Sequence, residues 1–132
     1  MASILAETVA AFATRNHLII DKKLENLGWL TPNSYGRDFC EPPTSSALYI
    51  FTLFNYERET SDALYVGQSK NLKNRWERHQ ILSEISKLSG PFQWIIKRFI
   101  PWEVGRLRHD ERFLISGLNP PFNIIGKRRG IS

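Results

Sequence analysis

Residues 47–66, ALYIFTLFNYERETSDALYV, decide the fold. The run 47–54 is apolar, β-branched and aromatic, which is the composition of a largely buried strand. The polar stretch NYERETSD (55–62) turns the chain back, and 63–66 supplies a second short strand. The pair is a β-hairpin with a longish loop. Gly67 follows at once, and its missing side chain permits a close backbone turn or ligand approach.

Downstream, a helix is expected from about Asn71, with Ser69 or Asn71 as N-cap, running to His79 or further. ILSEISKL (81–88) continues that periodicity. On such a helix Arg75 and His79 are four residues apart and share a face. Arg75 offers a planar fork of donors suited to phosphate, and an unperturbed histidine at 79 would titrate near neutrality. A solvated arginine and a satisfied imidazole would explain each residue alone equally well. Gly90 and Pro91 break the pattern. FQWIIKRF (92–99) is a third strand, and Pro101 is placed to open a last helix to about Gly117. Asn119, Pro120 and Pro121 end it.

Upstream, Ile4, Leu5, Thr8, Val9 and Phe12 form one helical stripe within 2–14. A second helix spans 21–27 and stops at Gly28. TPNSYGRDFCEPPTSS (31–46) has the composition of a linker. The chain therefore divides into an N-terminal helical extension with its linker (1–46), a folded unit (47–126) and a basic tail (127–132). The order β-β-α-(α)-β-α indicates an α/β sandwich of the α+β kind, a small three-stranded, mostly antiparallel sheet flanked by helices.

At 132 residues and 42% hydrophobic, the chain is long enough for one self-supporting core. The single cysteine, Cys40, excludes an internal disulfide and a multi-cysteine zinc cluster, and His17, His79 and His109 are scattered. A reducing, cytoplasmic setting is expected. No stretch resembles a signal peptide or a membrane span, so no membrane partner is expected. A net charge of +5 favours polyanions, nucleic acid first.

The last helix carries the main anomaly. Its apolar stripe runs Val104, Leu107, Glu111, Leu114 or Ile115, and Leu118, with a carboxylate in the middle. A buried carboxylate needs an arginine partner, a metal or strong donors. Asp110 lies about 100° around the helix from Glu111, so the two do not converge as a two-metal site requires. A single hard cation such as magnesium, which keeps most of its waters, fits one carboxylate.

These elements together resemble the GIY-YIG endonuclease family, in a restriction-type or phage-type stand-alone form, over residues 48–123. Leu48-Tyr49-Ile50 stands at the first triplet and Tyr65-Val66-Gly67 at the second. GQSKNLKNRW carries the arginine, Arg75. ERFLISGLNPPFN opens on Glu111 and ends on Asn123. The resemblance implies paired phenols at Tyr49 and Tyr65, a phosphate-stabilising Arg75, a metal ligand at Glu111 and a positioning Asn123. His79 resembles the restriction-type members. Gln68 stands where some members carry lysine, so the general base stays open between Tyr49 and His79.

The implied activity is single-metal hydrolysis of a DNA phosphodiester with Mg2+, for which Mn2+ substitutes. The implied partner is double-stranded DNA, cut by a monomer or a homodimer. Phosphate tracking falls to Lys70, Lys73, Arg78, Arg106, Arg108 and Arg112, with Lys127, Arg128 and Arg129 in the tail. The alternatives are a non-catalytic DNA-binding module on the same fold and a nuclease for RNA or single strands.

Overall fold

The computed structural model describes residues 3–32 and 41–123. Three strands form one sheet: β1 (Ala47–Asn55), β2 (Thr60–Ser69) and β3 (Gln93–Pro101). The order is β2-β1-β3 and both pairings are antiparallel. β1 is central and apolar on both faces because both are covered, giving the continuous hydrophobic run that marks it in the sequence. β2 reaches beyond the expected 63–66. Thr60, Ser61 and Asp62 pair with Asn55, Phe54 and Leu53, since ladder pairing requires backbone groups and no apolar side chain.

One irregularity in β2 matters for the site. Phe51 pairs with Tyr65 whereas Thr52 pairs with Ala63, so Leu64 is an extra, bulged residue. A bulge shifts the side-chain alternation on one strand only. Beyond it Tyr65 shares a face with Tyr49 and Phe51.

Helices cover both faces. α1 (Ile4–Phe12) and α2 (His17–Leu27) precede the sheet, and Gly28 ends α2 in the left-handed conformation at φ 103°. Leu5, Phe12, Ile20, Leu24 and Trp29 pack with Leu48, Ile50, Val66 and Ile100 of the sheet. Leu107 and Leu114 of the last helix, α5 (Leu107–Leu118), join the same cluster. The N-terminal helices are thus core-capping elements. An ion pair at 3.0 Å between Asp21 of α2 and the buried Arg98 of β3 ties them further to the sheet. On the opposite face, α3 (Leu72–Glu77) and α4 (Gln80–Ser86) lay Leu72, Trp76, Ile81 and Ile85 over Tyr49, Phe51, Tyr65 and Phe99.

Three expectations are corrected. The helix running from Asn71 through His79 is two helices, broken at Arg78 and at His79, whose backbone is extended. Pro101 does not open the last helix but ends β3 opposite Ala47. The N–H of Phe99, two residues earlier, points away from β1 to the carbonyl of Leu30, so a proline in the same phase costs no ladder bond. Val104 lies in a 3-10 turn (Val104–Arg106) and is exposed, outside the apolar stripe of α5.

The sheet edges are covered in part. The backbone of Arg15 pairs with Ser61 of β2 and that of His17 with Glu59 just before it, and Leu30 pairs with Phe99 on β3. Such caps limit edge-to-edge association. Among the described residues no helix is long and apolar enough to cross a membrane.

Leu24 is fully buried between α2 and the sheet. Leu24→Ala is expected to lower unfolding free energy by about 2–5 kcal/mol in urea titration. A loss below about 1 kcal/mol would show that α2 is not an integral wall of the core.

Candidate active site

Tyr49 is the most enclosed residue of the site, 1% exposed on the central strand. Its register partner on β2 is Gly67. A Cβ at Gly67 would overlap Cζ and Oη of the Tyr49 ring. Glycine is required here for space. It lies within β2 and makes no turn, which corrects the turn expected from the sequence. The group that approaches its backbone is the protein's own phenol.

Tyr49 Oη lies 2.8 Å from His79 Nε2. His79 also N-caps α4, where its Nδ1 accepts the backbone N–H of Leu82 at 3.1 Å. A backbone N–H can only donate, so Nδ1 carries no proton. Burial, with the charge of Arg75, lowers the imidazole pKa to about 4, and the ring is neutral at pH 7. Its one proton is therefore on Nε2, and His79 donates to the Tyr49 oxygen. The helix break at Arg78 is what makes this possible, because a residue inside a continuous helix could not cap the next one.

Tyr65 completes an aromatic box. Its ring centroid is 6.2 Å from that of Tyr49 and 5.1 Å from the His79 ring, the latter pair at 89°. Trp76 of α3 meets Tyr49 edge-on at 5.8 Å. Burial raises the pKa of both phenols. Arg75, from the half-buried side of α3, acts in the opposite sense on each, while Glu111 adds to the rise. Tyr49, Tyr65, Arg75 and Glu111 are thus within electrostatic reach of one another, from β1, β2, α3 and α5.

Glu111 is half-buried on α5, and burial raises its pKa against the pull of Arg112, Arg108 and Arg75. Among the described residues it makes no ion pair within 4 Å. The arginine partner considered for Glu111 belongs to its neighbour, whose carboxylate is buried while the arginine stays exposed. Asp110, 3% exposed, accepts the Trp102 indole N–H at 2.7 Å and the Arg106 Nε–H at 3.1 Å, and pairs with His109 Nδ1 at 3.0 Å. Burial works to raise its pKa, but these bonds outweigh it and hold the carboxyl below its usual range. Arg106 is committed here and is not a free phosphate contact.

Asn123 acts through the backbone. Its Oδ1 accepts the Val66 N–H and its Nδ2 donates to the Val66 carbonyl, both at 2.8 Å. The side chain imitates a neighbouring strand and pins β2 between Tyr65 and Gly67. Asn119, left-handed at φ 48°, ends α5 and turns the chain toward that position.

Lys70, Lys73 and Arg78 are exposed around α3, and Arg108 and Arg112 are exposed beside Glu111. Lys127, Arg128 and Arg129 lie outside the described residues. No cluster of three or more His, Cys, Asp or Glu side chains occurs among the described residues. The donor set is one unpaired carboxylate, which fits a hard cation that brings its own waters and takes further oxygens from a substrate. Trp76, the indole of Trp102 and the capping role of His79 were not legible in the sequence. No glycine or proline marks the break at Arg78–His79. Comparison of the chain with protein-family models, curated proteins and solved structures finds no match.

Two outcomes are expected. The folded pKa of His79, about 4, lies below the unfolded value near 6.5, so the unfolded chain binds the extra proton between these values. Its contribution is complete above pH 6.5 and is lost as pH falls toward 4, amounting to about 3 kcal/mol. Urea titrations of wild type and His79→Gln at pH 7, 5.5 and 4.5 should differ in this slope, and parallel curves would contradict the neutral, capping imidazole. Gly67→Ala should cost about 1–3 kcal/mol by forcing the Tyr49 ring aside, read by the same titration.

Proposed function

We propose that this protein is a divalent-metal-dependent endonuclease that hydrolyses DNA phosphodiester bonds. The observation that carries this reading is the convergence, from four separate elements, of two buried phenols, one arginine and one carboxylate that makes no ion pair among the described residues. Structural roles alone give these side chains little reason to share one place. The same residues carry the sequence resemblance to GIY-YIG endonucleases, and that resemblance rests on the sequence. Perturbed titratable groups gathered in one region are a mark of function with a physical rationale.

Glu111 would hold the cation, Mg2+ or Mn2+. When bound, such an ion supplies Lewis acidity at the phosphoryl oxygens and offsets charge on the leaving oxygen. The remaining work belongs to the chain. Arg75 places a guanidinium beside the phenols, where it balances the charge that develops on the phosphate as water adds and the 3′-oxygen departs. Water must lose a proton, and the base is Tyr49 rather than His79. The imidazole has no free lone pair, since Nδ1 caps α4 and Nε2 carries the proton given to Tyr49.

A free tyrosine costs about 4 kcal/mol to ionise at pH 7, and burial adds to that. The Nε2–H of His79 and the charge of Arg75 both favour the phenolate and reduce the cost. His79 is in this reading a positioning donor. Tyr65 orients the phosphate or the water. Asn123 keeps Tyr65 and Gly67 in register through Val66.

Cleavage of supercoiled plasmid with Mg2+ tests the reading. EDTA and Glu111→Ala should each abolish nicking, and Arg75→Ala and Tyr49→Phe should each lower kcat by about 10²-fold or more. Nicking that survives both EDTA and Glu111→Ala would refute the metal-dependent reaction. His79→Gln keeps an N–H donor, so an acidic limb of the pH–rate profile should persist in it. Loss of that limb would make His79 the base.

A further inference from the structure

The side of α5 next to Glu111 carries two arginines one turn apart, Arg108 and Arg112. Both are exposed, and among the described residues neither makes an ion pair. Arg106, two residues before Arg108, is held by Asp110 at 3.1 Å, and that carboxylate is fixed by the Trp102 indole. The arginine just before the last helix thus anchors it, and the two on the helix stand beside the site. The ends of α5 are fixed as well, by Leu107 and Leu114 in the core and by the close approach of Gly117 to Val9 of α1. Arg108 and Arg112 are therefore borne on a rigid element.

The charge around Glu111 is unbalanced. Arg108 and Arg112 flank Glu111 on α5, and with Arg75 they act electrostatically on its carboxylate, which pairs with none of them among the described residues. A bare divalent cation would enter a region already positive. A strand of phosphates entering with it would cancel the excess. Residues four apart on a helix stand about 6 Å apart at Cβ, and long arginine side chains from such a pair reach neighbouring phosphates of one strand, which follow each other about every 3.4 Å along the duplex axis. Arginine meets each phosphate with a paired fork of N–H donors.

We propose that Arg108 and Arg112 form a clamp for two successive phosphates of the cut strand, on the Glu111 side of the scissile bond. The proposal rests on the nuclease reading of the same site. The clamp sets the direction in which the strand crosses α5. Arg75, on α3, then meets the scissile phosphate itself. Arg106 takes no part.

Binding of a fluorescent DNA duplex by the full chain, with Ca2+ replacing Mg2+, measured by anisotropy over a series of NaCl concentrations, tests this. Arg108→Gln with Arg112→Gln should lower the slope of log K against log salt by about 2, since each lost phosphate contact removes about 0.9. The paired lysine variant should keep the slope. Arg58→Gln, in the β1–β2 loop at the far end of the sheet, should behave as wild type in slope. The double glutamine variant should raise KM more than it lowers kcat, as expected when most of the lost binding is shared by ground and transition states. Thermal melts of each variant check that the fold is retained, and the single glutamine variants, expected to lose about 1 each in slope, cover a double variant that unfolds.

An unchanged slope in folded variants overturns the clamp, even if wild type cleaves DNA normally. A reduced slope in a protein that fails to cut DNA in any divalent metal supports the DNA contact and removes the nuclease reading. Absence of DNA binding by wild type overturns both.

Discussion

Everything at the site depends on burying a phenol against a glycine. The Tyr49 ring occupies the space a side chain at position 67 would fill, which places Oη among polar groups instead of solvent. A buried hydroxyl without a partner costs about 1–3 kcal/mol, and so does a buried imidazole N–H. The 2.8 Å bond between Tyr49 and His79 satisfies both groups at once. That bond is available only because the chain breaks helix at Arg78 and restarts at His79. One imidazole therefore joins two tasks, capping α4 and orienting a phenol from the central strand.

The carboxylates of α5 show how adjacent residues acquire opposite roles. Asp110 turns toward Trp102, Arg106 and His109 and becomes a saturated structural anchor. Glu111, one position on, is half-buried, where arginines exert a field but none of the described residues pairs with it. The anchor holds the helix, and the helix holds the unpaired group. The N-terminal helices support the same arrangement from behind, since Leu5, Phe12 and Leu24 share a cluster with Leu107 and Leu114.

Much of the fold was legible in residue pattern. The apolar run 47–54, the Gly28 stop and the Asn119–Pro120–Pro121 ending were all visible, because they follow from local composition and backbone preference. Pro101 misled because its place at the outward-facing end of an edge strand depends on which neighbour β3 pairs with. The continuous helix through His79 misled for a related reason. Helical periodicity persists on both sides of Arg78, and the break appears only in the backbone at Arg78 and His79, where α3 and α4 both lie on the sheet. In the site, Tyr49, Tyr65, Arg75, Glu111 and Asn123 were named from motif order. The proton position on His79 was not, since it follows from a contact with Leu82 and another with Tyr49.

The sequence by itself determined the α+β class, the three strands and the set of polar residues that needed an explanation. Periodicity and turn chemistry are local properties, and a single chain displays them. Only the tertiary structure decided that Gly67 makes room for a phenol, that Asp110 takes the arginine partner and Glu111 does not, and that His79 donates where it was a candidate to accept. Each of these is a choice between partners distant in sequence. Hydrogen-bond direction and burial select among them only once the sheet and α5 have brought those partners together.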